Sequence, residues 1–347
     1  MNTLIDRLFH NHTLERKDLL ALLYCDDESV LKKLIDAAAV TRDSIYGHTV
    51  YFRGLIEFTN YCKNNCYYCG IRAGNPEVNR YRLSLDEIMQ CCKNGYALGF
   101  RTFVLQGGED PYYDCTRICS IIRNIKSTFP DCAVTLSIGE HDESTYRAFF
   151  HAGADRYLLR HETANPEHYR KLHPLPLTLE HRKQCLYTLK KIGFQVGAGF
   201  MVGSPYQTKE YLADDLLFLK ELQPHMVGIG PFVPHHATRF KNEPAGTLQE
   251  TLKMLAIVRL LLPDVLLPAT TALGTIDPEG REKGLLAGAN VVMPNLSPIN
   301  RRKSYTLYDN KICTGDEAAE CLVCLKNRLD RYGFTLAPGR GDHPAMQ

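Results

Sequence analysis

Residues 49–72 read TVYFRGLIEFTNYCKNNCYYCGIR, an apolar run of strand length followed directly by three closely spaced cysteines. The run 49–58 predicts a buried strand. Cys62, Cys66 and Cys69 come immediately after its carboxyl end. The stretch therefore predicts a strand that delivers a group of thiols to one edge of a sheet.

Seven more apolar runs of strand length follow, separated by amphipathic stretches of helix length. They are 102–106, 133–138, 156–160, 196–202, 226–230, 265–270 and 290–294. Ser84 with Glu87, and Thr247 with Glu250, match the capping box that begins a helix. Eight strands alternating with helices predict an α/β fold, specifically a (β/α)₈ TIM-type barrel with short helical N-terminal and C-terminal extensions.

Three regions are expected along the chain. Residues 1–45 form a helical extension, residues 46–304 the barrel, and residues 305–347 a C-terminal segment with a second group of cysteines. The Pro/Gly-rich last ten residues are expected to be mobile. Because active sites of such barrels lie at the carboxyl ends of the strands, the first cysteine group falls where a site is expected.

Composition excludes several classes of protein. Of 347 residues, 44% are hydrophobic and 23% charged, as in folded globular proteins. A net charge of +2 argues against a nucleic-acid partner. With neither a signal peptide nor an apolar run of about 18 residues, the chain is predicted to be cytoplasmic and not membrane-bound. Thirteen cysteines in that setting indicate metal binding or catalysis rather than disulfides.

The spacing of the first three cysteines favours an iron–sulfur cluster. A four-iron cluster normally takes four thiolates, so the pattern CxxxCxxC leaves one iron open for a substrate or cofactor. A structural zinc site would need a fourth Cys or His close by, and the nearest histidine upstream is His48. The seven cysteines outside the two groups are expected to be small buried hydrophobes.

With Tyr68 before the last cysteine, this pattern resembles the signature of the radical S-adenosylmethionine (SAM) enzymes. The resemblance implies that SAM binds the open iron and that the reduced cluster cleaves it to methionine and a 5'-deoxyadenosyl radical. It also implies a low-potential electron donor. Gly107, Gly108 and Glu109 resemble the superfamily's GGE motif, which binds the methionyl amino group. By resemblance to the biotin-synthase-like branch, Glu162 would bind the ribose, with Arg160 beside it, and Arg182 would pair with the SAM carboxylate. Ser137 and Met201 complete the expected cofactor residues.

The whole chain from about 50 to 330 resembles the HydE maturases of FeFe-hydrogenase. The shared phrases are YCKNNCYYCGIR (61–72), RYLLRHETANP (156–166), GAGFMVG (197–203), DDLLFLKE (214–221), MVGIGPF (226–232), PATTALGT (268–275) and KIC (311–313). The resemblance implies maturation of the hydrogenase H-cluster on an organometallic iron–cysteine intermediate or a related thiol-containing substrate, alongside the maturases HydG and HydF. Two loops depart from the family: SPYQT (204–208) stands where LPGQT is usual, and PHHATRF (234–240) replaces a PHPDT phrase.

Further site residues are expected inside and beyond the barrel. Arg156 and the Thr270–Thr271 pair are polar at strand positions, and the resemblance favours a ligand for them over structural pairing. Tyr305 and Tyr308 would close that substrate cavity. Cys313, Cys321 and Cys324 are predicted to hold a second iron–sulfur cluster near the surface, with zinc as the alternative if His343 or another donor completes the set.

Three other functions share part of this pattern. A biotin-synthase-like sulfur inserter would need cysteines within barrel strands, and the eight predicted strands carry none. A methylornithine-synthase-like mutase shares the barrel and its motifs but typically lacks the C-terminal cysteines. A non-catalytic iron–sulfur electron carrier or scaffold would not need the GGE-like loop beside the open iron.

Overall fold

Three helices precede the first strand in the computed structural model, which describes residues 1–315 and 322–346. They are α1 (Asn2–Asn11), α2 (Arg16–Leu23) and α3 (Glu28–Tyr46). The third packs along α10 (Leu248–Leu261), a helix whose described residues are nearly all buried. This extension therefore covers one flank of the strands rather than extending into solvent.

Strands and helices then alternate. The strands are β1 (Thr49–Phe52), β2 (Gly54–Thr59), β3 (Thr102–Gly107), β4 (Ala133–Ser137), β5 (Arg156–Leu158), β6 (Gln195–Ala198), β7 (Met201–Val202), β8 (Met226–Val227), β9 (Gly230–Pro231), β10 (Val291–Val292) and β11 (Thr335–Leu336). The remaining helices are α4 (Leu85–Ala97), α5 (Cys115–Thr128), α6 (Glu143–His151), α7 (Pro166–Leu172), α8 (Leu179–Ile192), α9 (Lys209–Leu222), α10, α11 (Thr271–Ile276), α12 (Gly280–Leu286), α13 (Ile299–Arg302) and α14 (Leu322–Asp330), with a short 3₁₀ turn at Pro344–Met346.

The main sheet has six parallel strands in the order β2-β3-β4-β5-β6-β8. Parallel bridges continue the pairing from Met226 to Leu266 and from Pro268 to Val291. A further parallel bridge joins Leu55 of β2 to Asn295. The α/β class predicted from the sequence, with its sheet of parallel strands, is thus confirmed.

Four predicted strands are interrupted: the run 49–58 divides into β1 and β2, the run 226–230 divides into β8 and β9, and the runs 196–202 and 265–270 are also interrupted. The run 196–202 divides into β6 and β7 around Gly199, where φ is +151°. A Cβ at Gly199 would lie 2.0 Å from the Gly228 carbonyl oxygen, so only glycine allows this approach. The run 265–270 pairs through isolated bridges and forms no continuous strand, because Thr270 already caps α11. The capping boxes were more reliable: at Ser84 both hydrogen bonds with Glu87 are present.

The C-terminal tail packs against the amino ends of the strands. The Asp342 carboxylate lies 2.6 Å from Arg156 and accepts a 2.7 Å hydrogen bond from Gln195. Arg340 pairs with Asp155 at 2.7 Å. The mobility expected for the tail is therefore wrong for these residues, since half-buried ion pairs hold them. No helix in the described ranges is both long and apolar enough to cross a membrane.

Candidate active site

A cavity of about 350 Å³ opens at the carboxyl ends of the strands. That volume lies in the range of small-molecule sites, about 300–1,000 Å³. The three cysteines of the first group line it. All the residues predicted to hold the cofactor line it as well: Tyr68, Gly107, Gly108, Glu109, Ser137, Arg160, Glu162, Arg182 and Met201. Positions spread over more than 130 residues of sequence thus meet at one site because parallel strands end at the same edge.

The three thiols of the cysteine loop share one electrostatic feature, a raised pKa caused by burial. Burial raises the pKa of the Cys69 thiol to about 12, and burial also raises the pKa of Cys62 and of Cys66. Such thiols need bound metal to become thiolates, as expected of cluster ligands.

Two glycines bring Glu109 against the cysteine loop. A Cβ on Gly108 would lie 2.1 Å from the Tyr61 carbonyl oxygen and 2.6 Å from Cβ of Cys62. At Gly139 φ is +84°, and a Cβ there would lie 2.0 Å from Cγ of Glu109. The Glu109 carboxylate is 3.3 Å from the Lys63 ammonium. Gly108 was predicted from its motif; Gly139 was not singled out, although its place at the end of β4 was a signal.

The two arginines of the site are each held by a carboxylate. Nε of Arg182 lies 2.6 Å from Oε1 of Glu140, and Arg160 lies 3.1 Å from Glu162. Glu162 adopts φ +64° and forms a parallel bridge with Phe200, which fixes its backbone at the cavity wall. Sequence reasoning missed Glu140. Its position as the first carboxylate after β4, in the phrase SIGE, was the available signal.

The ring of Tyr68 is held in place by the buried side chain of His173. Its hydroxyl lies 3.2 Å from Nε2 of His173, whose Nδ1 is 3.0 Å from the Tyr169 carbonyl oxygen. Burial lowers the pKa of His173 to about 3, and burial raises the pKa of Tyr68. Both rings are therefore neutral at physiological pH, and the aromatic ring next to the cluster cysteines has a fixed orientation.

The deep part of the cavity is polar and carries an ion pair that the sequence did not reveal. Lys311 contacts Glu57, and both side chains are almost completely buried. Asn295 donates a 2.9 Å hydrogen bond to the same carboxylate. The hydroxyl of Thr270 is buried without a hydrogen-bond partner, and Thr271, Tyr305, Tyr308 and Arg281 also line the cavity. The sequence signal for this ion pair was Glu57, an acidic residue in a mostly apolar strand.

Arg156 does not belong to the cavity. Its guanidinium is hydrogen-bonded to Thr102 at 2.9 Å, to the Arg340 carbonyl oxygen at 2.8 Å and to Asp342 at 2.6 Å. The prediction that it faces a substrate is therefore wrong, because the C-terminal tail satisfies it at the amino ends of the strands.

The second cysteine group is described only in part. Sγ of Cys313 is buried and lies 3.6 Å from Arg281, a residue of the cavity wall, so this cysteine is closer to the cavity than expected. Cys321, and the side chain of Cys324, lie outside the described residues. His343 lies 3.7 Å from Asp264, which comes just before the run 265–270. His343 is therefore at the amino ends of the strands, at the other end of the fold from Cys313.

Comparison with known proteins agrees with this geometry. Residues 56–219 match the Radical SAM superfamily. The [FeFe] hydrogenase maturase subunit HydE of Thermotoga maritima is 47% identical over 94% of this chain and 92% of its own length. The 3-methylornithine synthase of Methanosarcina acetivorans is 30% identical over 96% of this chain and 93% of its own length.

Two solved structures share the fold. The crystal structure of methylornithine synthase (PylB) superposes with a TM-score of 0.86 at 29% identity, covering 96% of this chain and 97% of its own. The hydrogenase maturase HydG superposes with a TM-score of 0.80 at 20% identity, covering 96% and 75%, and shows likeness of fold alone. The cysteine loop, the loops that line the cavity and these matches define a radical SAM enzyme. Within that superfamily, the chain belongs to the family of the maturase subunit HydE.

Proposed function

We propose that this enzyme takes part in maturation of the FeFe-hydrogenase H-cluster, acting on an organometallic iron–cysteine intermediate or a related thiol-containing substrate. The observation that carries the proposal is the 47% identity with the Thermotoga HydE over nearly the whole of both chains, compared with 30% for the 3-methylornithine synthase. HydG and HydF are the expected partner maturases, and a low-potential donor supplies the electron.

We further propose that the strands close into a (β/α)₈ barrel around the cavity. The bridge from Leu55 to Asn295 and those from Met226 to Leu266 and from Pro268 to Val291 support closure. The buried ion pair of Glu57 and Lys311 would lie inside such a barrel. Electrostatic interactions with a bound substrate are stronger in such an interior than at a surface.

The residues around the cavity fit a four-iron cluster and SAM. Cys62, Cys66 and Cys69 would hold the cluster. The cluster and SAM together would supply the 5'-deoxyadenosyl radical. Glu109 is placed to accept from the SAM amino group, while the Arg182 guanidinium offers a fork for its carboxylate. Glu162 would accept from the ribose hydroxyls. Gly107 and Gly108 would let the backbone approach the cofactor, and Ser137, Met201, Tyr68 and Arg160 would line its site.

The substrate end of the cavity is formed by Thr270, Thr271, Tyr305 and Tyr308. The unpartnered hydroxyl of Thr270 supports a role in binding, because a buried hydroxyl without a partner costs free energy, about 1–3 kcal/mol, that a ligand acceptor recovers. We also propose a second iron–sulfur cluster on Cys313, Cys321 and Cys324. Three thiolates with no fourth cysteine nearby suit a cluster with one open iron better than a closed zinc site, and with His343 elsewhere a zinc ion would need another donor.

Activation of an apo-hydrogenase tests the function. The reconstituted protein, HydG, HydF, SAM and reductant are incubated anaerobically with the apo-enzyme, and hydrogen evolution is measured. We expect activation to depend on this chain and to be lost with Cys66→Ala, while Cys25→Ala, a half-buried cysteine outside the site, retains it. Activation without this chain, or 3-methylornithine formed instead from amino acid precursors, would overturn the proposal.

A further inference from the structure

A second group of metal-binding side chains lies beside the cysteine loop and outside the cavity. Donor atoms of His235, His236 and Asp309 all lie within 4.8 Å of one another. Nδ1 of His236 is 2.7 Å from Oδ1 of Asp309, and Nε2 of His235 is 3.8 Å from the same oxygen. His236 belongs to the phrase PHHATRF, which departs from the family pattern.

We propose that His235, His236 and Asp309 form a binding site for a divalent transition-metal ion of the zinc type. Two imidazole nitrogens and one carboxylate oxygen are a donor set that suits zinc and its neighbours, whereas magnesium and calcium prefer oxygen alone. Three protein ligands leave one position of a tetrahedron open. Nothing in the radical chemistry requires this group.

The donor atoms need only small movements to enclose an ion. Ligand bonds of about 2.0–2.1 Å place the donors of a tetrahedral zinc about 3.4 Å apart. At present Nδ1 of His236 lies 2.7 Å from Oδ1 of Asp309, and Nε2 of His235 lies 3.8 Å from it. To bind an ion, Nδ1 of His236 would move away from this oxygen and Nε2 of His235 would move towards it. Asp309 is held in place meanwhile, because its Oδ2 accepts from the His236 backbone N–H at 2.7 Å and its own N–H donates to the Pro234 carbonyl oxygen.

A second carboxylate supports His236 as a ligand. Nε2 of His236 lies 3.1 Å from Oε2 of Glu77, so the ring can donate to Glu77 while Nδ1 faces Asp309. Metal-bound histidines commonly donate their other ring N–H to a carboxylate in this way, which orients the ring and increases its basicity. The carboxylates of Asp309 and Glu77 both lie against the His236 ring, so a divalent ion bound there would be close to two acidic side chains.

His235 is the buried member of the group. Its side chain is 3% exposed, and its Nε2 faces Oδ1 of Asp309 at 3.8 Å. At present Nδ1 of His235 accepts from the Ala237 N–H at 3.1 Å. Coordination through Nε2 places the ring proton on Nδ1, so that this hydrogen bond is given up. We therefore expect micromolar rather than nanomolar affinity.

The site would join segments that are distant in sequence. His235 and His236 lie on the loop after β9, Asp309 lies on the segment that carries Tyr308 and Lys311, and Glu77 follows the cysteine loop. His235 also packs against Gly70, where a Cβ would lie 2.3 Å from its Cδ2. A bound ion would thus tie the substrate end of the cavity to the loop after β9, next to the cluster-binding residues.

The site is tested by measuring zinc binding to the full chain after its cysteines have been loaded with iron and sulfide. Titration against a chromogenic chelator is compared for the wild type, His236→Gln, Asp309→Asn and the control His10→Gln, which alters an exposed histidine on α1. We expect one zinc per chain that is bound at least tenfold more weakly by both site variants and unchanged by the control.

Crystals of the wild type soaked in zinc give a second measurement that does not depend on the folding of any variant. We expect an anomalous peak at the zinc edge between His235, His236 and Asp309. Peaks at thiols alone, or equal zinc affinity in the wild type and His236→Gln, would overturn the proposal.

Discussion

Nε of Arg182 lies 2.6 Å from Oε1 of Glu140, at the end of the cavity that the cluster cysteines line. Both side chains are about nine-tenths buried, so the pair is screened little by solvent. The carboxylate keeps the guanidinium in place without a ligand. Nη1 of Arg182 also donates to the Arg160 carbonyl oxygen at 3.4 Å, and we expect the remaining N–H groups to bind the SAM carboxylate, with Glu140 as a positioning residue.

Replacement of Arg182 tests this arrangement. Arg182→Ala removes a charge-assisted pair with the SAM carboxylate, and we expect SAM affinity to fall by about 1.5–3 kcal/mol, about ten- to hundredfold. Lys191→Ala, an exposed cation on the same helix, is the control. Equilibrium dialysis of SAM with cluster-loaded protein measures the effect. An unchanged dissociation constant in Arg182→Ala would contradict the assignment.

Loss of a cluster cysteine should abolish radical formation. In Cys66→Ala only two of the three thiols remain, so the cluster is expected to be lost or incomplete, and SAM cleavage with it. Chromatographic detection of 5'-deoxyadenosine after reduction, together with iron content, provides the measurement. Full cleavage by this variant would show that the cluster lies elsewhere.

A methyl group at Gly108 should disturb the cysteine loop directly. The new Cβ would lie 2.1 Å from the Tyr61 carbonyl oxygen, a backbone atom that cannot rotate away. We expect Gly108→Ala to bind less iron on reconstitution. Gly228→Ala is the matched control, because its nearest neighbour would be at 3.8 Å, an ordinary contact. Equal iron content in the two variants would refute the steric argument.

The ion pair of Asp342 and Arg156 should make stability depend on pH. Burial raises the pKa of Asp342, but Arg156, the Gln195 amide and Arg340 together outweigh it and hold that pKa below the ordinary 3.8. A carboxyl with a lowered pKa contributes stability above its unfolded pKa and loses it as pH falls through the folded value. We expect Asp342→Asn to lower the free energy of unfolding at pH 7 by about 1.5–3 kcal/mol.

This difference should shrink as the pH falls below about 4, where the wild-type carboxyl becomes protonated too. Urea unfolding followed by circular dichroism at pH 7 and at lower pH measures it. Asp36→Asn, which removes an exposed pair with Lys32, serves as the control and should change little at either pH. A pH-independent difference between Asp342→Asn and the wild type would argue against the ion pair.

Radical formation should not require the second cysteine group. The triple variant of Cys313, Cys321 and Cys324 to Ser is expected to bind less iron, by up to one cluster, while it still cleaves SAM. Iron content and 5'-deoxyadenosine yield are measured on the same preparation. Loss of cleavage with the first cluster spectroscopically intact would assign these cysteines to the radical chemistry.

The sequence by itself determined the class of fold and the position of the first site. Alternating apolar runs and helices specify local periodicity, and CxxxCxxC is a local pattern, so both can be recognised without tertiary structure. The residues Glu109, Glu162 and Arg182 were found because each lies near the end of a predicted strand or matches a family phrase, and such ends meet at one edge of a parallel sheet.

Only the tertiary structure decided how the polar groups pair. Arg156 looked like a ligand-binding residue until the tail, 186 residues further along, placed Asp342 against it. Glu57 and Lys311 are separated by 254 residues, and Glu140 pairs with Arg182 across two helices. A charge within a strand must be neutralised somewhere, but its partner depends on which distant segments meet in space. The sequence around each charged residue does not indicate which distant segment will supply its partner.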